Sequence, residues 1–99
     1  MAFGKDLPPN VVLLPSASHD LERILHRNRA EFSRLWADLV RLGTGTLPSQ
    51  GRKKLKGVDA FQFDAGRYRI VYYRRDAEYV IWAVFAKPEQ LKYLKRFHS

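Results

Sequence analysis

The chain contains no cysteine. Disulfide staples and thiolate metal sites are therefore excluded, and a reducing cytosol is compatible with the composition. Long apolar runs are missing as well. None approaches the ~18 residues that a membrane span needs, and Lys5 is not followed by the roughly 7–15-residue apolar segment of a signal peptide. There is no internal repeat and no low-complexity tract. No His/Asp/Glu cluster has metal-ligand spacing, and Gly43-Thr44-Gly45 lacks the lysine and the helix context of a phosphate loop. Neither a metal nor a small-molecule cofactor is expected. Acidic side chains are scarce: ten Asp/Glu stand against eighteen Lys/Arg, a formal net charge of +8.

That excess is concentrated. Residues 1–50 hold six Lys/Arg against five Asp/Glu, whereas residues 51–99 hold twelve against five. Such asymmetry points to a polyanion or an acidic protein met by the C-terminal half. With 45% apolar and 13% aromatic residues the chain is expected to fold rather than to remain a disordered tail. Its 99 residues suit one domain with a modest core, residues 1–9 being a loose lead-in that carries Gly4, Pro8 and Pro9.

Asn10–Leu14 is a short β-branched run, expected as a buried strand ended by Pro15. Ser16 or Ser18 is expected to cap a first helix, with Asp20 and Glu22 in its first turn and Leu21, Ile24 and Leu25 on one face. Asn28 marks a break. Phe32, Leu35, Trp36, Leu39 and Val40 form the stripe of a second helix, which Gly43 is expected to end. Glu31, Arg34, Asp38 and Arg41 lie outside that stripe. Two short amphipathic helices joined tightly make an αα-hairpin, and a sheet is the partner for its apolar side. After a Gly/Thr/Pro/Ser loop come Arg52-Lys53-Lys54-Leu55-Lys56 and three expected strands, Ala60–Asp64, Arg67–Arg74 and Glu78–Ala86. Pro88 suits the start of a short terminal helix anchored by Leu91, Leu94 and Phe97. The fold class expected is α+β: an N-terminal strand, an αα-hairpin on one face of a mainly antiparallel sheet of about four strands, and a short C-terminal helix.

The strands predict a register. A turn at Ala65–Gly66 faces Asp64 with Arg67, Phe63 with Tyr68 and Gln62 with Arg69. A second turn at Asp76–Ala77 faces Tyr72 with Ile81, Ile70 with Ala83 and Tyr68 with Phe85. One face then holds Phe61, Phe63, Tyr68, Ile70 and Tyr72, ready to receive the helices. The other gathers Tyr73, Trp82, Val71 and Val80, edged by Arg67, Arg69, Gln62 and Asp64. Either a loop or the terminal helix covers this second face, or bases and partner side chains pack on it while the arginines hold phosphate or carboxylate.

The Lys54-Leu55-Lys56-Gly57 entry, the Gly66-Arg67-Tyr68-Arg69-Ile70-Val71-Tyr72-Tyr73 strand and the ending Val84-Phe85-Ala86-Lys87-Pro88-Glu89 resemble the RelE/ParE toxin superfamily, the ending being most like its HigB-type branch. The resemblance covers roughly residues 10–97. It implies a bacterial, cytoplasmic toxin held by a cognate acidic antitoxin. Most RelE and HigB members are ribosome-dependent mRNA endonucleases, whereas ParE members inhibit DNA gyrase without cutting. By this resemblance Arg69 would meet the scissile phosphate, Lys54 and Lys56 would approach RNA, and Lys87 would be a basic active-site residue. Gln62 and Asp64 depart from the pattern, standing where nuclease relatives carry lysines.

Cleavage through the RNA 2′-hydroxyl needs a base, cations for the charged phosphorane and an acid for the leaving oxygen. Arg69 suits a phosphate clamp, or a cross-strand or antitoxin contact. Lys54 and Lys87 would add electrostatic stabilisation or be solvated. Asp64 would be a base or a salt-bridge partner of Arg67; Tyr93 an acid, a stacking platform or a packing residue. Lys53, Lys56, Arg67, Arg74, Tyr73 and Trp82 are the side chains that RNA or a partner would meet. His98 lies near the terminus, and His19 and His26 read as surface residues.

Overall fold

Pro15 ends the first extended run and also starts the first helix. A computed structural model of the chain describes residues 7–48, 51–57 and 59–98, the side chains at 94 and 96–98 excepted. Strand β1 is Val11–Leu13, and helix α1 runs over Pro15–Arg27. Proline suits the first helical position because its missing N–H would have had no intrahelical partner. Leu14 occupies the cap and makes no side-chain capping bond, so neither Ser16 nor Ser18 caps α1, and Asp20 and Glu22 lie past the first turn. Asn28 breaks the chain as expected, its side chain accepting the Glu31 N–H at 3.1 Å to start α2, Arg29–Thr44.

Gly45, not Gly43, ends α2. It holds φ at +80°, which a side chain would disfavour. Gly43 serves close approach instead. A Cβ there would lie 2.6 Å from Val11 Cγ2 and 2.8 Å from Pro8 Cγ, and its carbonyl accepts from Asn10 Nδ2 at 2.9 Å.

Among the described residues the sheet has five strands in the order β1-β5-β4-β3-β2, one more than expected. The addition is β2, Lys53–Lys54, antiparallel to β3, Phe61–Ala65. β4 is Tyr68–Arg75 and β5 is Glu78–Ala86. β1 lies parallel to β5, and the remaining pairs are antiparallel. The α1–α2 hairpin buries Leu21, Leu35, Leu39 and Leu42 against Phe63, Ile70, Ile81 and Val84. Each fully buried aliphatic side chain contributes about 1.5–3 kcal/mol.

Two registers differ from those predicted. The first hairpin turns at Gly66–Arg67, pairing Ala65 with Tyr68 and Asp64 with Arg69. Gly66 at φ +64° supplies the positive φ that such a turn wants at its first central residue; a turn at Ala65–Gly66 would have demanded it of alanine. Pairing moves by two residues, so both faces keep their predicted membership. The second hairpin turns at Asp76–Ala77 as expected, and Tyr72 pairs with Ile81. Beyond that a bulge intervenes, for Val71 pairs with Ala83, leaving Trp82 as the extra residue. From Ala83 onward β5 is therefore turned over. Val84 enters the helix-side core, while Ala83 and Phe85 join Val71 on the opposite side.

That opposite side holds a second, smaller core. Leu55, Ala60, Phe85 and Tyr93 close it, with Tyr73 and Trp82 partly buried against it. Tyr93 belongs to α3, Gln90–His98, which follows a 3-10 turn at Lys87–Glu89. Its ring stacks on Phe85 with centroids 4.7 Å apart. Tyr93 is the observed anchor. Leu91 is 78% exposed, contrary to expectation, and the side chains of Leu94 and Phe97 lie outside the described ones.

β1 ends opposite Ile81, so the outer edge of β5 needs other partners beyond that point. The segment from Leu14 into α1 supplies them. Leu14 N–H donates to the Ile81 carbonyl at 3.1 Å, Ser16 Oγ to the Trp82 carbonyl at 2.7 Å, and Val84 N–H to Asp20 Oδ2 at 3.0 Å. Asp20 is buried, and its other oxygen accepts from Arg23 at 2.8 Å and from the Tyr93 hydroxyl at 3.4 Å.

Gly43→Ala is expected to destabilise the fold by about 1–3 kcal/mol in urea unfolding, because overpacking against Val11 and Pro8 outweighs the better helix propensity of alanine; a stabilised variant would refute the close-approach role. Asp20→Ala should cost about 2–4 kcal/mol by leaving the Val84 N–H and the Tyr93 hydroxyl without their acceptor, and Asp20→Asn less. Equal unfolding midpoints for wild type and Asp20→Ala would contradict this.

Candidate functional site

The Gly66–Arg67 turn places Asp64 directly across from Arg69. Arg69 Nε donates to Asp64 Oδ1 at 2.8 Å and Nη2 to Oδ2 at 3.4 Å. A second cation joins this pair from the far end of β5. Lys87 N–H donates to the Arg67 carbonyl at 3.2 Å, and its ammonium lies 3.3 Å from Asp64 Oδ2. Gln90, the first residue of α3, accepts a short hydrogen bond from Arg69 Nη1. Arg69, Lys87, Asp64 and Gln90 thus converge from β4, the 3-10 turn, β3 and α3.

Arg69 is the least exposed of the three charges, its side chain 21% accessible against 41% for Lys87 and 45% for Asp64. The Arg69 hydrogen bond, aided by Lys87, holds the Asp64 carboxyl below its ordinary value against the opposing effect of partial burial. Asp64 is consequently an ionised acceptor and a weak base. It is not paired with Arg67, which reaches Glu31 on α2 at 3.6 Å.

The remaining predicted residues are dispersed. Lys53 and Lys54 on β2 and Lys56 beyond it are exposed. Lys54 pairs with Phe61, three residues along β3 from Asp64, about 10 Å away at strand rise. Its ammonium lies 3.8 Å from Asp59. Arg74 stacks over the Tyr79 ring at 4.1 Å, at the other end of β4. Tyr73 and Trp82 meet edge-on with centroids 6.4 Å apart. Tyr93 is buried, and its hydroxyl accepts from Arg23 at 2.6 Å while donating to Asp20. Among the described residues no hydrogen-bond donor reaches the buried Gln62 side-chain oxygen. His19 and His26 are exposed, as expected; the His98 side chain lies outside the described ones.

Gln90 was not singled out in the sequence. Its only signal is its position just after Pro88, in the first turn of a helix that had to start beside the end of β5. A second feature absent from the sequence reading is a groove of about 550 Å³ between α2 and β3, lined by Arg34, Asp38, Arg41, Lys53, Phe63 and Asp64.

No family model matches the chain, and no curated protein sequence matches it. Solved structures do. A chain of the YoeB–YefM complex from Staphylococcus aureus matches with a TM-score of 0.63 and 20% identity, over 77% of this chain and 93% of that one. A second structure from that organism, of the heterotetrameric YoeB–YefM toxin–antitoxin complex, matches with a TM-score of 0.63 and 18% identity over the same shares. A chain of the RelBE2 toxin–antitoxin complex from Mycobacterium tuberculosis matches with a TM-score of 0.56 and 24% identity, over 84% of this chain and 95% of that one. The fold is shared with toxin–antitoxin complexes of the RelE and YoeB type. This is the fold that the RelE/ParE resemblance of Lys54–Gly57 and Tyr68–Tyr73 implies.

Asp64 contributes stability above the ordinary carboxylate range, and that contribution is lost as pH falls through its lowered pKa. In a carboxyl-carbon NMR titration, Arg69→Ala should move the Asp64 midpoint up towards its ordinary value, and Lys87→Gln should move it less. An unmoved midpoint in Arg69→Ala would remove Arg69 as the principal cause.

Proposed function

We propose that this chain is the toxin component of a type II toxin–antitoxin pair and that it acts on ribosome-bound mRNA, with Arg69 and Lys87 receiving a backbone phosphate. One observation carries this reading. Arg69 and Lys87, 18 positions apart in sequence, are brought onto the two oxygens of a single carboxylate. Two cations that converge on one carboxylate can also converge on a phosphate. The shared fold supports the toxin role, and the charge of the C-terminal half suits RNA. In this reading the 2′-oxygen attacks the adjacent phosphorus as its proton passes to water, and Arg69 and Lys87 stabilise the phosphorane. The P–O5′ bond then breaks, water protonates the leaving 5′-oxygen, and a 2′,3′-cyclic phosphate remains. Lys53, Lys54 and Lys56 draw in the flanking strand. An acidic antitoxin would cover the same basic surface, in the bacterial cytoplasm.

A second reading has its own support. Asp64 fills the fork of Arg69 and is a weak base, and the Tyr93 hydroxyl is engaged beneath α3. The carboxylate beside Arg69 is this weak base, and the ammonium beside it, Lys87, is tied to the same carboxylate. That arrangement favours a ParE-like toxin that binds DNA gyrase without chemistry, or a module that only grips RNA or antitoxin.

Cell-free translation with primer-extension mapping separates them. Discrete mRNA cleavage that falls by about 100-fold or more in Arg69→Ala is expected, the scale of losing one donor to a developing oxyanion. Intact mRNA together with blocked gyrase supercoiling would overturn the nuclease in favour of the second reading.

A further inference from the structure

We propose that Asp64 is a built-in counter-ion that closes the Arg69–Lys87 anion site to small phosphates and yields it to a polyanion. The proposal rests on the reading of that pair as a phosphate site and adds a selectivity that the reading does not contain.

Occupancy is the first argument. Arg69 Nε and Nη2 both point at the Asp64 carboxylate, and Lys87 Nζ shares its Oδ2. Those donors are the ones a phosphate oxygen pair would use, so the two ligands exclude each other. Gln90 engages the remaining arm of the guanidinium and fixes its plane.

Tethering is the second. Asp64 and Arg69 are cross-strand partners in a hairpin closed by a two-residue turn. The carboxylate is therefore present at an effective concentration of about millimolar or more, and a free anion must compete with it. It also repels any second anion that approaches while it stays in place.

Exposure is the third. Asp64 and Lys87 are each nearly half exposed, and ion pairs this open to water are weak. A carboxylate so held can be displaced by a ligand with further attachments. The basic segment provides them, because Lys53, Lys54 and Lys56 are exposed on and beyond the neighbouring strand. A strand bearing several phosphates gains counter-ion release at those lysines, and a lone phosphate does not.

The test follows the Arg69 Nε–Hε NMR signal. Inorganic phosphate is titrated into wild type, Asp64→Asn and the Asp64→Asn/Lys87→Gln double variant, and a short single-stranded oligouridylate into wild type. Asp64→Asn is expected to bind inorganic phosphate about tenfold more tightly than wild type, with the gain lost in the double variant. Oligouridylate is expected to move the wild-type signal. Asn preserves the size of a partly exposed side chain; Asp64→Ser should behave alike, and melting curves confirm that each variant is folded. An equal phosphate response in wild type and Asp64→Asn would overturn the gate while leaving the site. No response in either Asp64 variant would overturn the site itself. Cleavage of mRNA is read separately, so a gate that behaves as described in a protein that leaves mRNA intact sinks only the nuclease.

Discussion

Three elements meet on the Asp20 carboxylate. It accepts the Val84 N–H of β5, the Arg23 guanidinium of α1 and the Tyr93 hydroxyl of α3. A carboxylate with 3% of its side chain exposed is tolerated only when its lone pairs are used in this way. The consequence reaches beyond local stability. β1 is three residues long and leaves the outer edge of β5 unpaired beyond Ile81; Asp20 and Ser16 stand in for the missing strand. With that edge satisfied, β5 runs on to Ala86 and delivers Lys87 to the β3–β4 hairpin. Tyr93 then holds α3 over Phe85, which puts Gln90 beside Arg69. The charged cluster is thus assembled from the far side of the sheet by one buried acid.

The bulge at Trp82 completes this arrangement. Without it, Phe85 would point at the helices and Val84 would lie beside Arg69. With it, Phe85 faces the second core and pairs across from Arg69, and Tyr93 has a ring to stack on. One extra residue therefore divides the apolar content between two cores. The helix side takes the larger share, and the smaller core exists because α3, Leu55 and Ala60 close over it.

Much of this was legible in the residues. The helical stripes are periodic, and strand faces survive a two-residue change of pairing because side chains alternate with period two. The hairpin partner of Asp64, Arg69 rather than Arg67, turns on Gly66 taking the first central position of the turn, where a positive φ is wanted. The bulge left no trace, for Ile81-Trp82-Ala83-Val84 is apolar on both sides of the strand. Asp20 reads as a first-turn acid until Pro15 is seen to start the helix. Gly43 and Gly45 look interchangeable as helix ends, although one is required for space and the other for φ. Convergence of Lys87 and Gln90 on Arg69 is tertiary, and no spacing encodes it.

In the proposed role, the electrostatics of the cluster would bear on RNA and on an acidic partner alike. Arg69 offers a planar fork and Lys87 a point charge, and neither distinguishes a phosphate from a carboxylate by charge alone. Asp64 demonstrates this within the chain, since a carboxylate is the group already held. An antitoxin that reached the pair with Asp or Glu would present the same chemistry as Asp64 and would gain little over it at that point. Its advantage would have to come from elsewhere, and the groove between α2 and β3, with Arg34, Arg41 and Lys53 along it, is adjacent. Phosphate and partner would then compete only indirectly, through the surface around Arg69, and the cost of displacing Asp64 would fall on the phosphate alone.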